Sequence, residues 1–300
     1  MQPSICTTYP SKICYDWSFR STSLLWWLWL KFPPSLRACA YRQLLQRFQV
    51  GDKRGPVTRL RFGLYAKIAP SSDEALAVQF VRAHTTIPVP EILDVVPYSP
   101  DPSTDTSSWL ILSKALPGSP LFQNGTPSRL IHATTEQIAN LGEVLSDWID
   151  QLRRIQPPHP QRVCGISGGT FRSHRISDVL VEPFESPAEF HAQFFCTVLD
   201  PSADDKIQRL VLERPQKQYK ICLTHGDLVP QNILTDDSYC PTGLIDWETA
   251  AWMPEYWETT SSIRTHFSRM YIWKDIVNKY FPQYDDDKLL EFHIMKTYAP

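Results

Sequence analysis

The sequence predicts an α+β protein of two lobes, a small strand-rich lobe followed by a larger helical one. Three observations carry this prediction. Residues 57–68 hold two β-type runs, VTRLRF and LYAKI, separated at Gly63. From Thr134 onward the apolar spacing changes to that of amphipathic helices. A single strand pair, ILT and GLI, then lies inside the helical half, so strands and helices are segregated along the chain rather than alternating. The expected boundaries are an extension over 1–34, an N-terminal lobe over 35–116 and a C-terminal lobe over 117–300.

Each element follows from its own pattern. The apolar run LLWWLWL (24–30) is far shorter than the roughly 20 residues a membrane-spanning helix needs. It is expected to be buried or to touch lipid without stable insertion. Ala38-Cys39-Ala40 resembles a signal-peptide cleavage site, but the long preceding segment and Asp16 and Arg20 near the run argue against secretion. SLRACAYRQLLQRFQV (35–50) predicts a short helix, and GDKRGP a turn. After the two strands, SSDEALAVQFVRAH predicts a helix whose start has the capping-box pattern Ser71-x-x-Glu74. TTIPVPEILDVVPY is a proline-punctuated connector entering an extended run. Beyond a polar loop (99–108), SWLILSKALPGSPL predicts a buried strand ending at Pro117-Gly118. Residues 134–156 form a long helix with Ile138, Leu141, Leu145, Trp148, Ile149, Leu152 and Ile155 on one stripe. An irregular loop (157–178) follows. Then come a helix capped by Ser186 with Pro187 first and Glu189 completing a capping box, another over 203–213, and aromatic-rich helices from Glu255.

Composition narrows the function classes. The chain has 300 residues, 42% hydrophobic and 21% charged, with a formal net charge of −2, a balance that gives no reason to expect nucleic acid or an anionic membrane as partner. Seven scattered cysteines form no CxxC pair and no zinc spacing, as expected of reduced thiols in a cytoplasmic protein. Ten tryptophans predict large apolar clusters or an aromatic-lined cleft. No GxxxxGK[ST], G-x-S-x-G or GxGxxG is present; Gly51 and Gly55 alone would make any phosphate-covering loop degenerate.

LTHGDLVPQNIL (223–234) and the residues after it carry the chemistry. Residues 233–245 predict a hairpin, with Asn232 just before its first strand and Asp246 just after its second. Antiparallel pairing puts these two side by side, and Asp227 lies in the entering loop. Such oxygen ligands suit a hard divalent cation such as Mg²⁺. Aspartate-x4-asparagine, then a hairpin and a second aspartate, is also the order of the kinase catalytic loop and metal site. Trp247 replaces the phenylalanine usual in protein kinases. A polar turn and a capped hairpin would explain any one of these residues alone, but not their combined spacing. Glu74 provides a second signal. It falls within the apolar arc of Leu76, Ala77, Val78, Phe80 and Val81, where a carboxylate needs a partner. Lys67 on the preceding strand is the nearest candidate; the alternative is that Glu74 closes the cap with Ser71. His225 is expected to orient the loop rather than carry a proton. GISGGTFRSHR is either a phosphate- or substrate-facing loop or a glycine-rich turn. Asp285–Asp287 read as a solvated helix start.

THGDLVPQNIL followed by GLIDWETAAWMPEYWE resembles the aminoglycoside phosphotransferase, or choline kinase-like, family in the form common among fungal phosphotransferase-domain proteins. RLRFGLYAKI, DEALAVQFVRAHTTIPVPEILDV, ILSKALPG and GISGGTFRSHRI extend the resemblance over about residues 40–275. It implies a bilobal protein-kinase-like fold and phosphorylation of a small-molecule hydroxyl by ATP with Mg²⁺. On that likeness the first lobe clamps the nucleotide. Asp227 is the catalytic base, and Asn232 and Asp246 hold the metal. Lys67 contacts phosphates and is held by Glu74, while the backbone around Lys114 and Leu116 meets adenine. Val229 departs from a frequent histidine, and Lys114 from a frequent acidic residue. Trp247, Trp252, Tyr256 and Trp257 either line the acceptor pocket or form core. The competing expectation is a kinase-shaped protein that binds nucleotide without turnover. A protein-directed kinase is disfavoured because no APE-type activation segment is present.

Overall fold

Two helices open the described part of the chain, α1 (Leu24–Trp29) and α2 (Pro34–Phe48). The computed structural model describes residues 24–50, 55–99, 108–123, 128–195, 204–263 and 271–298. Most of the expected extension, residues 51–54 of the turn and most of the polar loop therefore lie outside the described residues. Next come β1 (Val57–Leu60), β2 (Leu64–Ala69), α3 (Asp73–His84), β3 (Ile92–Tyr98) and β4 (Ser108–Lys114). The strands form one antiparallel sheet in the order β1-β2-β4-β3. Side chains alternate across it. Ala66, Leu110 and Leu112 pack towards α2, while Val95 and Ile111 join the main core on the α3 side. Both faces of β4 are thus covered, which is why its sequence reads as an unbroken apolar run. The same alternation turns Lys67 away from α2 and towards α3.

One detail at α3 departs from the expectation. Ser71 and Glu74 form no capping box: the Ser71 hydroxyl accepts from the Asp73 amide at 3.3 Å, and Ser72 is the N-cap. Glu74 is drawn instead to Lys67, at 2.8 Å. A buried lysine outcompetes a backbone amide for the carboxylate because a charge-assisted pair is the stronger interaction in a low-dielectric site.

The second lobe is built around β5 (Ser119–Pro120) and the long α4 (Thr135–Arg154). Thr134 and Gln137 close a complete capping box at its start. Then follow β6 (Cys164–Gly165), β7 (Phe171–Ser173), β8 (Ser177–Val181), α5 (Pro187–Phe195) and α6 (Asp205–Glu213). The rest comprises β9 (Ile221–Thr224), β10 (Ile233–Thr235), β11 (Pro241–Leu244), β12 (Ala251–Pro254), α7 (Trp257–Ser261), α8 (Tyr271–Tyr280) and α9 (Asp285–Tyr298). β10 lies between β11 and β5, and β12 between β6 and β9. The segment expected as irregular loop contributes short strands: β6 pairs with β12 far along the chain, and β7 pairs with the adjacent β8. Trp247, Trp252, Tyr256 and Trp257 are all buried and belong to the core. Asp287 is no solvated helix start either: it is buried, accepts from the Tyr219 hydroxyl at 2.8 Å and faces Arg214 at 3.4 Å.

Candidate active site

The loop leaving β9 is held by side chains that bond its backbone groups. Gly226 has φ of 79°, and a Cβ there would lie 2.6 Å from the Thr249 carbonyl oxygen, so only glycine fits. The amides of His225 and Gly226 donate to the buried Glu258 carboxylate at 2.5 and 3.3 Å. His225 Nδ1 accepts from the Asp227 amide at 3.2 Å and Nε2 donates to the Ile245 carbonyl at 3.0 Å. This pairing requires the neutral Nε2–H tautomer. His225 thus ties the loop to the hairpin, as a spacer rather than a proton carrier.

The hairpin then brings the named polar groups together. Ile233 pairs with Leu244, and the Ile245 amide donates to the Asn232 carbonyl at 3.0 Å. Asn232 and Asp246 consequently sit at one end of the hairpin. The Asn232 amide nitrogen donates to the Asp227 carbonyl at 2.9 Å and to its carboxylate at 3.0 Å. Its oxygen is therefore left for another ligand. Asp246 adopts the left-handed conformation, φ 67° and ψ 62°, costly for a residue with a Cβ and typical of backbone over-determined by a functional site.

Across the cleft, Lys67 Nζ meets three carboxylates: Asp246 at 2.5 Å, Glu74 at 2.8 Å and Glu248 at 3.1 Å. Burial works against the charge on Lys67, but the three carboxylates outweigh it and raise its pKa. Burial also raises Glu74, with Lys67 pulling the other way. Glu248 is held down to about 2, first by its hydrogen bond from His174, then, against burial, by Lys67. The three acids offer oxygens within 4.8 Å of one another, a donor set that suits a hard cation. Beside them a cleft is lined by Ser71, Asp73, Glu74, Thr170, Arg172 and Glu248. GISGGTFRSHR thus contributes Thr170 and Arg172 to its wall and His174 to Glu248, at 2.8 Å.

The connector lies against the hairpin. The Leu244 amide donates to the Pro88 carbonyl at 2.9 Å, and a Cβ on Gly243 would come within 2.4 Å of Leu116. The Lys114 side chain forms an exposed pair with Glu91 at 2.9 Å, and its amide donates to the Glu91 carbonyl at 2.9 Å. Sequence reasoning missed Glu248, His174 and Glu258 as site residues. Glu248 and Glu258 do lie in IDWE and EYWE, and an acid inside a tryptophan-rich run was the available signal.

Known proteins resemble this chain in sequence and in fold. Residues 46–273 match the phosphotransferase enzyme family. An aminoglycoside 3'-phosphotransferase of Streptomyces fradiae is 28% identical over 193 residues, covering 61% of this chain and 63% of that protein's length. Among solved structures, aminoglycoside phosphotransferase APH(4)-Ia superposes with a TM-score of 0.54 at 13% identity, over 86% of this chain and 88% of that one. APH(2")-IIia, solved with GDP and kanamycin, gives 0.51 at 13% identity over 86% and 87%. These two likenesses speak for the kinase-like fold. Through the match over residues 46–273, the chain belongs to the phosphotransferase enzyme family.

Proposed function

We propose that the protein transfers the γ-phosphoryl group of ATP to a hydroxyl of a small molecule, in a Mg²⁺-dependent reaction. The observation that supports this best is the convergence of Asp227, Asn232 and Asp246 at one hairpin end, with Lys67 reaching them from the opposite lobe. Asp227 receives the proton of the acceptor hydroxyl as its oxygen bonds to phosphorus and the bond to ADP breaks. Asn232 fixes the Asp227 carboxylate through its amide nitrogen and, with Asp246, would hold the metal. Bound there, Mg²⁺ would neutralise charge on the phosphates. Lys67, steadied by Glu74, contacts the phosphates, and the Lys114–Leu116 backbone frames the adenine. Such a site works by positioning and preset charge, since phosphoryl transfer asks for little covalent help. A small acceptor is favoured over a protein because the sequence has no APE-type activation segment. Relatives named for aminoglycosides do not fix it, since one fold serves many substrates.

Titration of ATP with and without Mg²⁺ into wild type and Asp246→Ala, followed by heat of binding and ADP release, tests this. Magnesium-dependent binding that disappears in the variant, with slow ADP release by wild type, is the expected result. Absence of nucleotide binding in wild type would overturn it. Binding without ADP release in the presence of a broad set of hydroxyl acceptors would instead favour a nucleotide-binding protein without turnover.

A further inference from the structure

We infer that α1 and the start of α2 form a docking face for an anionic phospholipid surface, which would hold the kinase lobe at a membrane. Two sides of α1 differ sharply. Trp26 donates to the Leu93 carbonyl at 3.0 Å and Trp29 to the Tyr41 hydroxyl at 2.7 Å, which pins the inward side to the sheet. The outward side carries Leu24, Leu25, Trp27 and Leu28, which are 71, 78, 48 and 46% exposed. Phe32 and Leu36 extend this apolar surface. Because the inward tryptophans already satisfy the fold, the outward ones contribute nothing to the core, and an exposed apolar patch of this size marks a contact surface.

Charge identifies the occupant. From residue 17 to residue 51 the sequence contains five basic residues and no aspartate or glutamate. Arg37 is used internally on Asp94, but Lys31 and Arg47 are exposed. Lys31 stands over the Trp27 ring at 4.9 Å, placing a cation beside an aromatic side chain suited to the headgroup layer. A protein partner or second copy would need no acid-free stretch of chain here, whereas an anionic bilayer favours one. No helix among the described residues is long and apolar enough to cross a membrane, so the contact stays at the surface.

The full chain is sedimented with vesicles of phosphatidylcholine alone and of phosphatidylcholine with phosphatidylserine. Binding only to the phosphatidylserine vesicles, lost at high salt, is expected. Lys31→Gln should weaken it about fivefold, and Leu25→Ser with Leu28→Ser about tenfold or more. Unfolding temperature and ATP binding, which these surface residues do not touch, should stay at wild-type values; Lys31→Gln keeps the test decisive should the double variant misfold. No binding to either vesicle, binding insensitive to these substitutions, or self-association in free solution that Leu28→Ser abolishes would each overturn the proposal.

Discussion

Two buried charge clusters lie on opposite faces of the N-terminal sheet, and they are built on opposite principles. On the α2 face, Asp94 receives the Arg37 guanidinium, the Tyr41 hydroxyl at 2.5 Å and the Val95 amide at 2.8 Å. One acid meets one base, and the remaining lone pairs are occupied. On the α3 face, Lys67 faces Glu74, Asp246 and Glu248, with His174 also on Glu248, and Asp246 stays 40% exposed to the cleft. The balanced cluster holds α2 to the sheet. The unbalanced one retains uncompensated negative charge, at a cost to the folded state that only a cationic ligand relieves. Burial alone does not separate a structural ion cluster from a functional one; the charge left over does.

Substitutions can break that contrast. The largest effect is on catalysis: Asp227→Asn should lower the ADP-release rate by about 10²–10⁴-fold, the usual contribution of a general base, with little change in unfolding temperature. Asp246→Asn should likewise abolish magnesium-dependent turnover, yet leave the unfolding temperature equal or higher, because it removes one of three crowded carboxylates. Asp94→Ala should do the reverse. Leaving Arg37 buried without its partner costs about 3–5 kcal/mol, seen as a drop of many degrees in a thermal melt, while ATP affinity at temperatures where it is folded is unchanged. If Asp246→Asn destabilises as much as Asp94→Ala, the distinction between the two clusters fails.

How much of this was legible depends on how far apart the partners lie. The Asp227–Asn232–Asp246 arrangement could be read because a hairpin fixes its own ends, so local spacing determines who meets whom. Lys67 and Glu74 could be paired because a strand and the next helix leave few alternatives. The capping-box pattern at Ser71 misled for the opposite reason: it is a local option that loses to a tertiary one. Glu248 meets His174 only because β7 packs beside the hairpin, 74 residues away, and no periodicity reports that. The tryptophans after Asp246 were equally ambiguous. An aromatic residue looks the same in a pocket wall and in a core until its neighbours are known.

A smaller effect should come from Glu258, which stands behind the loop that carries Asp227 rather than in it. Burial pushes its carboxyl upward, opposed by His225 and the two loop amides. Glu258→Gln keeps the shape but offers one acceptor oxygen and turns N–H donors towards amides. A loss of about 1.5–3 kcal/mol is expected, the range for hydrogen bonds to charged groups. ADP release should fall with the acceptor KM nearly constant, because the loop that carries Asp227 loosens while the binding surfaces stay. A variant that matched wild type in both respects would show that the two amides do not depend on this carboxylate.

The smallest effect concerns a third buried cluster, where a neutral group sits among charges. His191 is buried, with Nε2 2.7 Å from the Tyr256 hydroxyl. Its pKa is lowered to about 3, first by burial and then by the Arg214 and Arg175 charges. The unfolded chain therefore takes up a proton on this histidine near its ordinary 6.5 while the folded one refuses it until about 3. Stability from this group is complete above pH 6.5 and is lost as the pH falls towards 3. Between about pH 6 and pH 5, before most carboxylates titrate, wild type should lose up to about 1.4 kcal/mol per pH unit more than His191→Gln. Thermal melts of both proteins across that range measure the difference. Parallel curves would mean that the folded protein already accepts the proton, and that Arg214 and Arg175 are neutralised by Asp287 and Glu291 too completely for His191 to feel them.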